Sequence, residues 1–296
     1  MLAGDLRPLL DAAGHEVIGV DLPEVDITRP DQVEAQVDAA RADLVINCAA
    51  YTDVDGAESE PELAAAVNTI GPRVLAEACL RRGVPLVHLS TDYVFGGTGR
   101  RAYREDDPPD PLGTYGRTKW EGEEAVRSLL PRHVIVRTAW LYGAGGDNFV
   151  KTMLRLGRER KEIGVVADQH GCPTWTCDLA DALVAIVARI EQDEEGMPWG
   201  TYHYCGKGHT SWHGFAEAIF EQARRFEALR VRQVLPLTTM QYPTAARRPA
   251  RSVMDCSKIG AAFGIRPRPW REALALMLRQ LLSLGGAACQ SPENEG

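Results

Sequence analysis

VPLVHLSTDYVFGG (84–97) is the stretch that decides the fold. Val84 to Leu89 is apolar at most positions without the polar alternation of a half-exposed strand, so it reads as a strand buried on both faces. Such a strand belongs to a parallel sheet packed between helices. Sheets of that kind bind ligands at the carboxyl ends of their strands. Here that end carries two hydroxyls, Ser90 and Thr91. A hydroxyl there serves either as a loop cap or as a hydrogen-bond donor to a bound oxygen.

Working outward, the pattern repeats. Val17–Asp21, Asp43–Asn47 and His133–Thr138 read as further strands, and helical patterns separate them. One helix starts at Pro30 and runs to about Arg41. Another covers Glu58–Arg82, with Leu63, Ala66, Val67, Val74, Leu75 and Ala78 at helical spacing, and a third covers Tyr115–Leu130. The expected fold class is α/β, a doubly wound parallel sheet. Beyond about residue 150 the regularity weakens. Helices are expected at Asn148–Arg160, Asp178–Glu191, Trp212–Phe226 and Trp270–Leu284, a strand at Gly200–Cys205, and a loop at QYPTAARRPAR (241–251). The expected organisation is a nucleotide-binding domain over 1–155 with a return segment at about 176–226. A smaller interwoven α/β substrate domain takes 156–175 and 227–284, and 285–296 forms a flexible tail.

Composition narrows the class. The net charge of −8, from 41 acidic and 33 basic residues, argues against a dedicated nucleic-acid binder. No apolar run reaches the ~18–20 residues of a membrane span, and the start lacks a signal-peptide pattern. The seven cysteines are dispersed without a CxxC pair, which reads as mostly reduced core thiols in a cytoplasmic protein.

The chemistry centres on Tyr115 and Lys119 in YGRTK (115–119). Their i,i+4 spacing sets both on one helical face, and a cation beside a phenol lowers its pKa toward the range of a general acid or base. Asn47-Cys48-Ala49-Ala50-Tyr51 puts small residues at another strand end, where backbone must pass close to a ligand. Asp21 ends the Val17–Asp21 strand, where an acid contacts an adenosine ribose. Asp26-Ile27-Thr28 either serves the adenine end or caps the helix after Pro30. His203, Cys205, His209 and His213 lie close in sequence, but they straddle a strand and a helix and fit no zinc spacing, so no metal site is assigned.

Longer blocks carry a resemblance. NCAAYTDVDGAESEPELAAAVN (47–68), STDYVFGG (90–97), YGRTKWEGE (115–123), RTAWLYG (137–143), NFVKTM (148–153), DQHGCPT (168–174) and YPTAARRPARSVMD (242–255) run nearly end to end. In this order the chain resembles the dTDP-4-dehydrorhamnose reductases, extended short-chain reductases with a Rossmann domain. The resemblance implies reduction of the 4-keto group of dTDP-4-dehydro-6-deoxy-L-mannose to dTDP-L-rhamnose by NADPH, or by NADH. It implies a catalytic set of Thr91, Tyr115 and Lys119. The implied cofactor contacts are Asp21, Asp26, Ile27, Cys48, Ala49, Ala50, Tyr51 and Asn68, together with Tyr115 and Lys119. The implied substrate contacts are Asp92, Tyr93, Trp140 and Asn148, with Arg247, Arg248 and Arg251 suited to clamp the diphosphate. Asp21 suits a free 2′-hydroxyl better than a 2′-phosphate, so NADPH against NADH stays open. The oligomeric state also stays open, with a homodimer and a Mg²⁺-assisted contact both known among relatives. A regulatory subunit like the methionine adenosyltransferase β-subunit, or a degenerate nucleotide-binding protein, is the rival reading. The complete Thr91/Tyr115/Lys119 set favours the enzyme.

The layout departs at the amino terminus. A Rossmann domain opens with a strand and a Gly-rich turn whose amides hold a pyrophosphate. Met1-Leu2-Ala3-Gly4-Asp5-Leu6 matches the end of that turn and the first helix, which leaves roughly 10–15 residues of the motif unmatched. Met1 as an internal methionine of a longer chain and an impaired chain are the two readings. The chain as written is expected to leave the Val17–Asp21 and Val84–Leu89 strands each short of one partner. It is therefore expected to bind NADPH weakly or to be poorly soluble.

Overall fold

The computed structural model describes residues 1–192 and 196–283. The tail expected at 285–296, and Cys289 within it, lie outside the described residues. Four parallel strands form the central sheet: β1 (Val45–Asn47), β2 (Leu86–Thr91), β3 (His133–Thr138) and, in this sheet but later in the chain, Gly200–His203. They lie side by side in that order. Strands β2 and β3 pair in register over Leu86↔His133 to Thr91↔Thr138. Every residue of both is buried. Their side chains alternate between two cores, as the two-residue strand repeat requires. Val87, Leu89, Val134 and Val136 join the core with Leu2, Leu6 and Leu10 of α1 (Leu2–Ala12). Leu86 and Ile135 join the opposite core with Val33 and Val37 of α2 (Pro30–Ala40) and Val74 and Leu75 of α3 (Gly71–Arg82). Burying one such side chain contributes about 1.5–3 kcal/mol, so helices on both faces hold the sheet between them. The fold is the expected doubly wound α/β sheet.

The helix α4 (Thr114–Leu129) follows β2. It is followed, after β3, by α5 (Phe149–Glu159), β4 (Glu162–Val166) and α6 (Thr176–Gln192). The Gly200–His203 strand is β5, and α7 (Trp212–Ala223), β6 (Gln233–Leu237), α8 (Ser257–Phe263) and α9 (Trp270–Ser283) complete the order. Strands β4 and β6 pair in parallel, Ile163 opposite Val234, away from the main sheet. Val150, Leu154, Phe215, Ile219, Leu274 and Met277 build the core beside them. Neither strand was expected from the sequence: β4 is five residues long with a glycine at its centre, and β6 contains a proline and no fully buried residue.

Three expectations need correction. Val17–Asp21 is not a strand: it has no regular structure, and Ile18 and Val20 are 51% and 45% exposed. A β-rich segment becomes a strand only where a neighbour supplies its ladder, and no described strand pairs along the outer edge of β1. Nor does the Val84–Leu89 segment lack a partner, because β2 is flanked by β1 on one side and β3 on the other. The open edge belongs to β1, only three residues long, which limits the unpaired backbone. Finally, Pro61–Arg82 is one run of helix long and apolar enough to cross a membrane by length and composition. It is half buried, with Val74, Leu75, Ala76, Ala78 and Cys79 packed into the core.

Candidate active site

The carboxyl ends of β1 and β2 and the first turns of α4 build the site. Thr91 ends β2, and its hydroxyl accepts from the Tyr93 amide at 3.2 Å, fixing the sharp exit of the chain. The Tyr115 phenol faces the Thr91 side chain, whose hydroxyl donates to Asp92 Oδ1 at 3.2 Å. Its ring stands edge-on to Tyr93, centroids 5.5 Å apart. Lys119, 2% exposed, donates from Nζ to the Leu89 carbonyl at 2.7 Å. Helical spacing sets Tyr115 and Lys119 on one face, and the packing of α4 on β2 brings that face to Thr91.

The electrostatics differ from expectation. The phenol is not lowered: burial pushes Tyr115 up to about 12, against the opposing influence of Thr91 and with Asp92 raising it further. Lys119 points to the strand carbonyl, and burial lowers it to about 8. Burial, opposed by Thr91 and aided by Asp92, sets the state of the phenol, and the expected lowering by the neighbouring cation does not occur. Tyr115 thus carries its proton throughout the physiological range, as a proton donor must.

Asp92, 1% exposed, is pushed up to about 6 by burial, while hydrogen bonds from Ser252 and Thr91 oppose the shift. Ser252 donates to it directly. Tyr93 is raised, chiefly by burial. Arg248 grips Asp55 with two bonds, Nη1–Oδ1 at 3.1 Å and Nη2–Oδ2 at 2.6 Å, which also hold the 246–248 loop over the site. Arg247 is exposed, and Arg251 has a buried Nε without a hydrogen-bond partner. The three arginines are therefore not equivalent: one is committed to Asp55, one is in solvent, and one has donor capacity to spare.

On the other side of the strand ends, the Cys48–Tyr51 loop is closed by Asn68. Its Oδ1 accepts from the Tyr51 amide at 2.9 Å, and its Nδ2 donates to the Tyr51 carbonyl at 3.0 Å. Asn68 lies in a π-turn of helix (Ala66–Ile70), where the widened turn swings the amide inward. The Ala49 amide donates to Asn47 Oδ1 at 3.0 Å, and Cys48 is raised to about 11 by burial. With Cys48 facing buried Lys119 and small Ala49 and Ala50 following it, this end is chemically suited to a nicotinamide ribose, which needs a donor cation and close backbone approach.

The remaining expected residues are engaged locally. Asp21 opens an exposed turn and bonds the Leu22 amide at 2.8 Å, rather than ending a strand. Asp26 accepts from the Thr28 amide at 2.9 Å and the Thr28 hydroxyl at 2.8 Å, a local turn and not the expected cap of α2, whose N-cap position is held by Arg29 without a side-chain bond. Ile27 packs over Gly71, where a Cβ would lie 2.5 Å from its Cδ1. Asn148 caps α5, accepting from the Lys151 amide at 3.2 Å and donating to the Gly143 carbonyl at 2.8 Å. Trp140 adopts φ +47°, a costly backbone for a bulky residue, and stacks on Trp212 with centroids 3.5 Å apart. His203, Cys205, His209 and His213 do not converge. His203 bonds the Tyr103 carbonyl, Cys205 lies 3.6 Å from Cys256, and His213 bonds the Val234 carbonyl.

Sequence reading missed Glu123, Arg137, Asp55 and Ser252. Of these, Glu123 was detectable, because it continues the i,i+4 ladder of Tyr115 and Lys119. The other three reach the site only through the fold.

The chain is similar across its length to known proteins. Residues 1–283 match the family described as the RmlD substrate binding domain. A dTDP-4-dehydrorhamnose reductase from Streptomyces griseus is 46% identical over 294 residues, 99% of this chain and 94% of that protein. A crystal structure of a dTDP-4-dehydrorhamnose reductase from Clostridium acetobutylicum superposes with a TM-score of 0.88 at 39% identity, over 95% of each chain. One from Bacillus anthracis, in complex with NADP, gives 0.86 at 40% identity over 94% of this chain and 95% of that one. With a family model spanning nearly the whole described chain and relatives above 40% identity, this chain belongs to the RmlD substrate-binding-domain family.

Proposed function

We propose that this protein is an NAD(P)H-dependent reductase that converts the 4-keto group of dTDP-4-dehydro-6-deoxy-L-mannose to the alcohol of dTDP-L-rhamnose. The observation that carries it is the meeting of Thr91, Tyr115 and Lys119 at the end of β2, in a chain so similar to dTDP-4-dehydrorhamnose reductases. That intact set weighs against a non-catalytic subunit or a degenerate nucleotide-binding protein.

In this reading residues 1–155, with the return at about 176–226, hold the dinucleotide, and 156–175 with 227–284 mainly hold the sugar. Cys48–Tyr51, Asn68 and Lys119 would hold the nicotinamide end, and Asp21 the adenosine end. NAD(P)H, when bound, supplies the hydride. Tyr115, protonated because burial raises its phenol, gives its proton to the sugar oxygen as negative charge develops there. Lys119 holds positive charge close to that transfer, and Thr91, fixed by the Tyr93 amide and Asp92, faces the phenol. Asp92 and Tyr93 sit beside Tyr115, and Arg251, half-buried and not committed to Asp55 as Arg248 is, is the arginine assigned to a diphosphate oxygen. The chain acts in the cytoplasm on a small nucleotide sugar.

The experiment mixes purified protein, NADPH and the dTDP-4-keto sugar. Loss of the reduced nicotinamide absorbance and formation of dTDP-rhamnose by mass spectrometry are expected. No sugar-dependent consumption of either NADPH or NADH refutes the proposal.

A further inference from the structure

Glu123 lies one turn beyond Lys119 and two beyond Tyr115, so all three share a face of α4. Each side chain meets the end of β2. The Tyr115 phenol reaches Thr91, the Lys119 ammonium reaches the Leu89 carbonyl at 2.7 Å, and the Glu123 carboxylate takes the Ser90 hydroxyl at 2.5 Å. Glu123 is 0% and Arg137 1% exposed. Arg137 forks onto the carboxylate, Nε to Oε1 at 2.9 Å and Nη2 to Oε2 at 2.7 Å, and Arg127 adds a contact at 3.2 Å. Since Ser90 is the ladder partner of Arg137, one carboxylate joins the helix to both central strands.

An ion pair this buried is a poor net stabiliser, because desolvation offsets its attraction and a shape-matched apolar pair holds elements together as well. An apolar pair supplies neither directional bonds that set the rotation of α4 nor a negative charge near Lys119. We propose that Glu123, held by Arg137 and Ser90, is a positioning residue for the reduction, fixing the Tyr115–Lys119 face of α4 against the end of β2. The proposal rests on the reading of Tyr115 and Lys119 given above.

The charges agree with the geometry. Burial is the main influence lowering Lys119, and Glu123 is the largest one opposing it, followed by Cys48. The titratable groups facing the ammonium from other elements are Cys48, held as a thiol by burial, and His88 in β2, held neutral by burial. On its own helix stand Tyr115 and Glu123. Glu123 is thus the main charge that opposes the effect of burial on Lys119.

The test compares wild type with Glu123→Gln/Arg137→Met, which removes both charges together, and with Ser90→Ala, which keeps the ion pair. In the double variant kcat is expected to fall about tenfold with both KM values within about twofold, and the high-pH limb of kcat to begin about one unit lower, tenfold in the acid constant. The pH midpoint of Lys119 labelling by an amine-selective reagent, read by mass spectrometry without turnover, should move down equally. Ser90→Ala should lower kcat about threefold and leave the limb in place, as expected for losing one hydrogen bond. A folded double variant with limb and labelling midpoint unmoved overturns the proposal. If the double variant does not fold, unchanged kcat in Ser90→Ala overturns it. Wild type without turnover refutes the functional reading instead, and the labelling shift still decides this one.

Discussion

Replacing Tyr115 with Phe removes one oxygen from a buried ring and separates catalysis from stability. The ring keeps its edge-on contact with Tyr93 at 5.5 Å, so packing is nearly conserved. The structural loss is at most one neutral hydrogen bond at the buried phenol oxygen, about 0.5–1.5 kcal/mol. For a domain of this size that lowers Tm by only a few degrees, at about 2–4 °C per kcal/mol. The catalytic loss is larger. Removing a general acid costs about 10²–10⁴ in rate, or about 2.7–5.5 kcal/mol of barrier. NADPH affinity should change by less than about twofold, because the Lys119 ammonium is anchored independently on the Leu89 carbonyl. The assay is steady-state NADPH consumption with the dTDP-4-keto sugar, alongside calorimetric titration of NADPH and a thermal melt. A variant that keeps more than half the wild-type kcat would show that Tyr115 is not the proton donor. A kcat loss matched by an equal collapse of stability would refute the separation argued here.

Further outcomes are expected at four positions. Arg251→Ala should raise KM for the nucleotide sugar by roughly 10- to 150-fold, the equivalent of one lost charge-assisted bond at about 1.5–3 kcal/mol, and leave KM for NADPH unchanged. Arg248→Ala should act mainly through the loop that Asp55 holds, and equal small effects at both positions would remove the diphosphate contact. Asp92 is raised from 3.8 to about 6 when folded, so its favourable contribution is complete below pH 4 and is lost as pH rises through about 6. Relative to wild type, Asp92→Asn should therefore gain up to about 3 kcal/mol between those limits in urea unfolding, and parallel pH curves would contradict the buried acid. Asn148→Ala should cost about 1 kcal/mol as a lost helix cap, whereas Asn148→Ser should keep both stability and turnover. Lost turnover in the Ser variant would instead make Asn148 a ligand contact.

The alternation of buried strands with amphipathic helices was legible because strand and helix periods are local properties. His133–Thr138 is a strand over the expected residues, and Tyr115 and Lys119 share a face because four residues nearly complete a helical turn. The same local logic identified the hydroxyls at the end of β2. Val17–Asp21 shows where it stops. Its composition is that of a strand, but a ladder needs a neighbour, and the composition of one segment says nothing of what lies beside it. β4 and β6 were invisible for the complementary reason, since each gains its strand state from pairing with the other across about 70 residues.

For the candidate site, the residue types were set by the sequence and their chemical states by the tertiary structure. A Tyr and a Lys one turn apart can favour the phenolate, and the spacing alone says so. Burial decides otherwise, because desolvation penalises both charged forms, raising Tyr115 to about 12 and lowering Lys119 to about 8. Arg247, Arg248 and Arg251 look alike in the chain, yet only the fold brings Asp55 to Arg248 across 193 positions and leaves the Arg251 Nε without a bond. The sequence determined which groups this protein has and which of them lie one helical turn apart. Their charge, partners and availability depend on long-range burial and pairing, and those were decided only when the chain closed on itself.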